Sequence, residues 1–148
     1  MNREIKFRGK ALENETFFGE CFSSKNEWVY GGIAYSLSGT YIMQQDEYFC
    51  FPTKVDSKTI GQYTGLKDKN GVEIYEGDLI KYACGGTEDD VIEEIDEVFF
   101  NDEYGVFEIA MNRNKEDTQV LGFWLSDMYE DSLYEVIGNI YESEVTND

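Results

Sequence analysis

The residues with the most evident chemical capacity are carboxylates. Glu88 to Glu97 reads EDDVIEEIDE and holds seven acids, namely Glu88, Asp89, Asp90, Glu93, Glu94, Asp96 and Glu97. Such a run could gather the roughly six to eight oxygens that a calcium ion takes. It could also supply paired carboxylates for acid–base work, provided their surroundings split their pKa values. Neither reading is well served. The D-x-[DN]-x-[DN]-G order of a calcium loop is missing, and exposed acids in one charge run have no reason to titrate apart. A solvated loop that keeps a sheet edge soluble fits better. A partner-binding role for Glu88, Asp89, Asp90, Glu93 and Glu94 stands beside it.

Other chemistries fall away by composition. The chain has no histidine, which removes His-activated nucleophiles and the commonest transition-metal ligand. Its three cysteines, Cys21, Cys50 and Cys84, make no C-x-x-C pair, so no zinc ribbon or dithiol redox site can form. They are expected to be reduced and mostly core hydrophobes. Neither phosphate-cradling glycine motif, G-x-x-x-x-G-K-[ST] or G-x-G-x-x-G, occurs. Nothing calls for a metal or another cofactor, and the chain is expected not to be an enzyme.

Charge narrows the partners. The net charge is −19. Residues 1–82 hold ten Lys/Arg against twelve Asp/Glu, whereas residues 83–148 hold two against nineteen. Such a surface repels nucleic-acid phosphates and anionic membranes. An N-terminal basic group, Arg3, Lys6, Arg8 and Lys10, could touch nucleic acid beside Trp28 or Phe17, but pairing with the many acids is favoured. Met1 to Lys10 has no apolar stretch of a secretory signal, so the expected compartment is the cytoplasm of whatever cell makes it.

These residues need elements to position them, and the pattern is strand after strand. Ile5 and Phe7 alternate with charged neighbours, as in a half-buried strand. Thr16 to Phe22, Trp28 to Tyr35, Tyr41 to Met43 and Glu47 to Phe51 read as further strands, and Ser23 to Asn26 as a hairpin loop. Pro52 is expected to end the fourth, with residues 53–60 as a linker. Asn70-Gly71 predicts a type I′ hairpin turn, and Leu79 to Tyr82 a compact strand. Residues 84–97 are expected to be an acidic loop behind a flexible Gly pair. Strands follow at Val98 to Phe100, Gly105 to Met111, Val120 to Leu125 and Tyr134 to Tyr141, with one helical turn at Asp127 to Leu133. The expected fold is all-β, an N-terminal β-subdomain over 1–58 followed by a barrel over 60–143. Ile5, Phe7, Leu79, Ile80, Phe107, Ile109, Ile137 and Ile140 should anchor the core.

Ile60 to Tyr82, IGQYTGLKDKNGVEIYEGDLIKY, resembles the signature of the YopX family of phage and prophage proteins. Arg3 to Ala11 (REIKFRGKA) and Glu135 to Ser143 (EVIGNIYES) are similar to its opening and closing strands. The resemblance covers essentially all of residues 1–148 and implies a β-rich fold whose second half is an SH3-like barrel. It carries no activity. Within the central segment Gly61, Tyr63, Thr64, Gly65, Asp68, Asn70, Gly71, Tyr75, Gly77 and Asp78 stand out. A binding surface of Tyr63, Thr64, Lys67, Asp68 and Asp78 is one reading; a folding signature of turns and a first barrel strand is the favoured one.

Phe123, Trp124 and Tyr129, beside Asp127 and Glu130, read as core or as a patch for a basic partner. The expected function is then a phage or prophage accessory protein, a non-enzymatic acidic module that binds a host or phage protein with a basic surface. The alternative is a carboxylate-dependent, metal-assisted hydrolase. Homo-oligomerisation is a further expectation, because short strands leave edges to cover.

Overall fold

The computed structural model describes residues 4–17, 19–87, 89–110, 115–121 and 134–142. Those residues are nearly all strand, without an α-helix, and the chain divides into two compact units, Met1–Tyr63 and Thr64–Asp148.

The first unit is built on β1 (Phe7–Lys10), β2 (Glu15–Phe17), β3 (Glu20–Ser23), β4 (Trp28–Ser36), β5 (Gly39–Gln45), β6 (Cys50–Val55) and the start of β7 (Gly61–Lys67). Its sheet runs in the order β6-β5-β4-β1-β7. Alternation places Phe7, Val29, Ile33, Ile42 and Val55 together, and with Ala11 and Ile60 they form its core. Pro52 does not end a strand; it lies inside β6, opposite Met43. The strand tolerates it because β6 is the sheet's edge, where a missing N–H costs no ladder bond. Residues 53–60 are accordingly half strand and half a 3-10 turn, Ser57–Thr59, capped by Asp56, whose side chain accepts from the Lys58 N–H. Thr16 to Phe22 is not one strand but the β2–β3 hairpin, since Gly19 at φ 82° reverses the chain. Cys21 and Cys50 are free and exposed, so they are not core residues.

The second unit holds the end of β7 from Thr64, then β8 (Glu73–Tyr75), β9 (Asp78–Thr87), β10 (Asp90–Asn101), β11 (Val106–Ala110), β12 (Thr118–Val120) and β13 (Glu135–Asn139). Five of these strands form a sheet in the order β12-β11-β10-β9-β13. Ile74, Ile80, Tyr82, Val98, Ile109, Leu121 and Tyr134 make the core. No closed barrel is found among the described residues.

Three of the expected anchors point outward: Ile5, Ile137 and Ile140. Ile5 precedes the first paired residue of β1. In β13 the register shifts between Val136 and Gly138, and this bulge turns Val136 and Asn139 inward in place of the two isoleucines. Leu79, Ile80 and Ile109 are buried, while Phe7 and Phe107 pack half-buried on the two cores.

The acidic stretch is the largest departure from the expected loop. β9 continues to Thr87 and β10 begins at Asp90, so residues 84–97 are mostly paired strand. The β-branched residues Val91, Ile92 and Ile95 favour extended backbone, and pairing with β9 satisfies its polar groups, so charge alone does not melt it. The helical turn expected at Asp127 to Leu133 lies outside the described residues.

Candidate functional site

The central motif turns its side chains into the fold. Thr64 Oγ1 donates to the Ile74 carbonyl at 2.8 Å, tying β7 to β8. Asp68 is buried, and its carboxylate accepts three backbone N–H groups. Asn70 N and Val72 N reach Oδ1 at 2.8 and 2.9 Å, and Val136 N reaches Oδ2 at 2.9 Å. One side chain therefore shapes its own turn and grips β13, which lies 68 residues along the chain. Only Gly71 has positive φ (79°); Asn70 does not. With Gly71 N donating to the Asp68 carbonyl, the turn is the kind that ends in a left-handed glycine, not type I′. The Asp68 side chain, absent from a simple Asn-Gly rule, makes that choice. Asp78 is buried and accepts the Tyr75 N–H at 2.7 Å, while Gly77 N donates to the Val98 carbonyl at 2.8 Å. Tyr63 and Tyr75 are buried and Gly61 is enclosed, whereas Gly65, Lys67, Asn70 and Gly71 face solvent.

The N-terminal basic group is also engaged. Arg8 lies 4.6 Å and Lys10 5.3 Å from the Trp28 ring centre, and Lys6 lies 5.2 Å from that of Tyr63. Lys6 also meets Glu4 at 3.2 Å. These cations sit on rings of their own sheet.

The most unusual surface is the β9–β10 hairpin. Among the described residues β11 pairs with β10 over Glu97–Asn101, and β13 pairs with β9 over Asp78–Lys81. Beyond those points β9 and β10 pair with each other alone, up to Thr87 and Asp90. The result is a two-stranded arm with both outer edges open among the described residues. It carries Asp89, Asp90, Glu93 and Glu94, with Val91, Ile92 and Ile95 exposed to 54%, 55% and 37%. Aliphatic residues this exposed on a strand are unusual unless something covers them. Its acids are not equivalent. Glu93 meets Lys81 at 3.6 Å, and Glu97 meets Lys115 at 3.2 Å near the root. Asp89 and Asp90 at the tip form no such pair among the described residues. Glu88, with Phe123, Trp124 and Tyr129, lies outside the described residues.

At the arm's root two carboxylates approach one hydroxyl. Tyr82 Oη donates to Asp96 Oδ2 at 2.8 Å and lies 3.4 Å from Glu94 Oε2. Asp96 is fully buried and its Oδ1 has no hydrogen-bond partner among the described residues. Among the described residues no group of three His, Cys, Asp or Glu could hold a metal ion. Asp96 was hidden in the charge run; only its in-phase spacing with Val98 and Phe100 distinguished it from its neighbours. Across the base, Lys69 Nζ meets Glu135 Oε2 at 2.7 Å, with Lys81 at 3.8 Å. The Lys69 hydrogen bond holds the Glu135 carboxyl below its ordinary range and raises the lysine in turn.

The described residues contain no helix long and apolar enough to cross a membrane. No curated protein matches the chain. The family model described as YopX protein matches residues 6–145, which reaches into both units, covers the central and closing anchor segments and begins inside the opening one. The chain belongs to the YopX family.

Proposed function

We propose that this protein is a phage or prophage accessory protein that works as a non-enzymatic interaction module in the host cytoplasm, and that the β9–β10 arm is its contact element. The second unit is taken to follow an SH3-like barrel plan. Two register shifts, at Ile92/Glu93 and Val136/Gly138, support that plan, because bulges bend strands in the way barrel closure needs.

The observation that carries the reading is the juxtaposition, on one hairpin, of exposed Val91, Ile92 and Ile95 with Asp89, Asp90, Glu93 and Glu94. Aliphatic side chains supply buried area on docking, and surrounding acids steer a basic partner. The partner is a host or phage protein with a basic surface; a second copy of the chain is a further candidate, since open edges also favour self-pairing.

Two sets of substitutions test this with a partner captured from prophage-carrying cells. Changing Asp89, Asp90, Glu93 and Glu94 to Ser or Gln should slow association about tenfold at low salt and leave dissociation nearly unchanged. Changing Val91 and Ile92 to Ser should instead speed dissociation. Association insensitive to the acids and to salt between about 50 and 500 mM rules the arm out as an electrostatic contact. Light scattering at micromolar concentration reads the second-copy arm directly.

A further inference from the structure

The first unit contains a small cavity remote in sequence from the arm. About 210 Å³ lies in a pocket, open to solvent on one side, lined by Glu15, Thr16, Phe22, Phe51 and Pro52. The cavity is smaller than the roughly 300–1,000 Å³ of pockets for drug-sized ligands, and suits one side chain. Its walls are aromatic and aliphatic. The Phe22 and Phe51 rings pack with centres 5.0 Å apart and planes tilted by 55°. Among the described residues Glu15 is the one ionisable residue of the lining, and it is half-buried. Its carboxylate meets no cation and accepts no side-chain hydrogen bond among the described residues. Glu13 and Glu20 flank it in sequence, and residues 11–24 contain no Lys or Arg.

A purely apolar guest would strip water from that carboxylate and return nothing. An anion would be repelled by it. A flexible apolar stem ending in a cation satisfies both parts of the lining, with methylenes on Phe22, Phe51 and Pro52 and the charge at Glu15 and the ring faces. We infer that the cavity receives a lysine or arginine side chain of a partner polypeptide, with Glu15 as its counter-ion and the Thr16 hydroxyl as a further acceptor. The inference rests on the interaction-module reading for the source of that side chain, and gives the expected basic partner a specific anchor.

The probes are n-butylguanidinium chloride, pentan-1-ol as its neutral counterpart, spermidine, and the capped peptide acetyl-Ala-Arg-Ala-amide, followed by backbone amide shifts at constant ionic strength. In the parent chain the guanidinium should bind about tenfold more tightly than the alcohol, with shifts centred on Glu15, Phe22 and Phe51. Glu15→Gln should keep the shift pattern and bring the two to parity. Phe51→Leu, a milder change than Ala at a buried position, should weaken both. Equal binding of cation and alcohol, shifts spread over the acidic surface, or an undiminished preference in Glu15→Gln each overturn the site. Tighter binding of spermidine than of the peptide overturns the polypeptide source. The arm variant lacking Asp89, Asp90, Glu93 and Glu94 should retain the preference, so failure here and failure of the arm are separate results.

Discussion

Single carboxylates do unequal work in this protein, and burial decides which. Asp68 satisfies three backbone N–H groups and thereby joins the β7–β8 turn to β13. Asp68→Asn replaces one acceptor oxygen by an amide that faces N–H donors. The expected cost is about 2–3 kcal/mol, read from the denaturant midpoint at unchanged slope. Asp96 is the opposite case, a buried carboxylate whose visible hydrogen bond comes from Tyr82 alone. Tyr82→Phe removes that donor and should cost about 1–3 kcal/mol. Tyr82→Phe combined with Asp96→Val removes both polar partners from the apolar core, and should melt at or above the parent temperature. A double variant less stable than Tyr82→Phe would show that the carboxylate serves the fold in some other way.

At the scale of elements, the arm and β13 are held in different ways. Among the described residues the arm is a lone pair of strands, and two-stranded ribbons are marginal in water without a packed face. Amides of Glu93–Ile95 should therefore exchange with solvent far faster than those of Leu79, Ile80 and Val98, which sit in the packed sheet. Comparable protection throughout β10 would mean that the arm is covered. β13 is instead tied by Asp68 and by the Lys69–Glu135 pair. The folded pKa of Glu135 is lowered, so its contribution is present at neutral pH and is lost as pH falls through that lowered value. That of Lys69 is raised, so its contribution is lost only as pH rises through the raised lysine value. The pair thus acts between those limits. A parent-minus-Glu135→Gln difference in melting temperature should be visible near neutral pH and vanish at about pH 3.

For the whole molecule, charge is the governing quantity. A net charge of −19, most of it beyond residue 82, makes the chain repel itself as well as other anions. Raising salt from about 50 to 500 mM should stabilise the fold through screening, although it weakens individual surface pairs such as Lys81–Glu93. A lower melting temperature at high salt would mean that attractive pairs outweigh the repulsion.

By itself the sequence determined the strand-rich character, the family and the place of the turn at Gly71, though not its type, because alternation and turn chemistry are local properties of a few adjacent residues. Trp28 to Tyr35 and Leu79 to Tyr82 were legible for that reason. Tertiary structure alone decided matters that depend on residues far apart in sequence. Pro52 could sit inside a strand only because that strand became an edge. Ile137 and Ile140 lost the core to Val136 when a bulge shifted β13 by one position, since a one-residue slip exchanges the two faces of a strand. Glu88 to Glu97 looked uniform in sequence, yet pairing with β9 buried Asp96 and left Asp89 and Asp90 exposed at the tip. Among the described residues β9 and β10 pair on beyond the rungs they share with β13 and β11, and how far such pairing runs is set by partners distant in sequence, not by a local pattern.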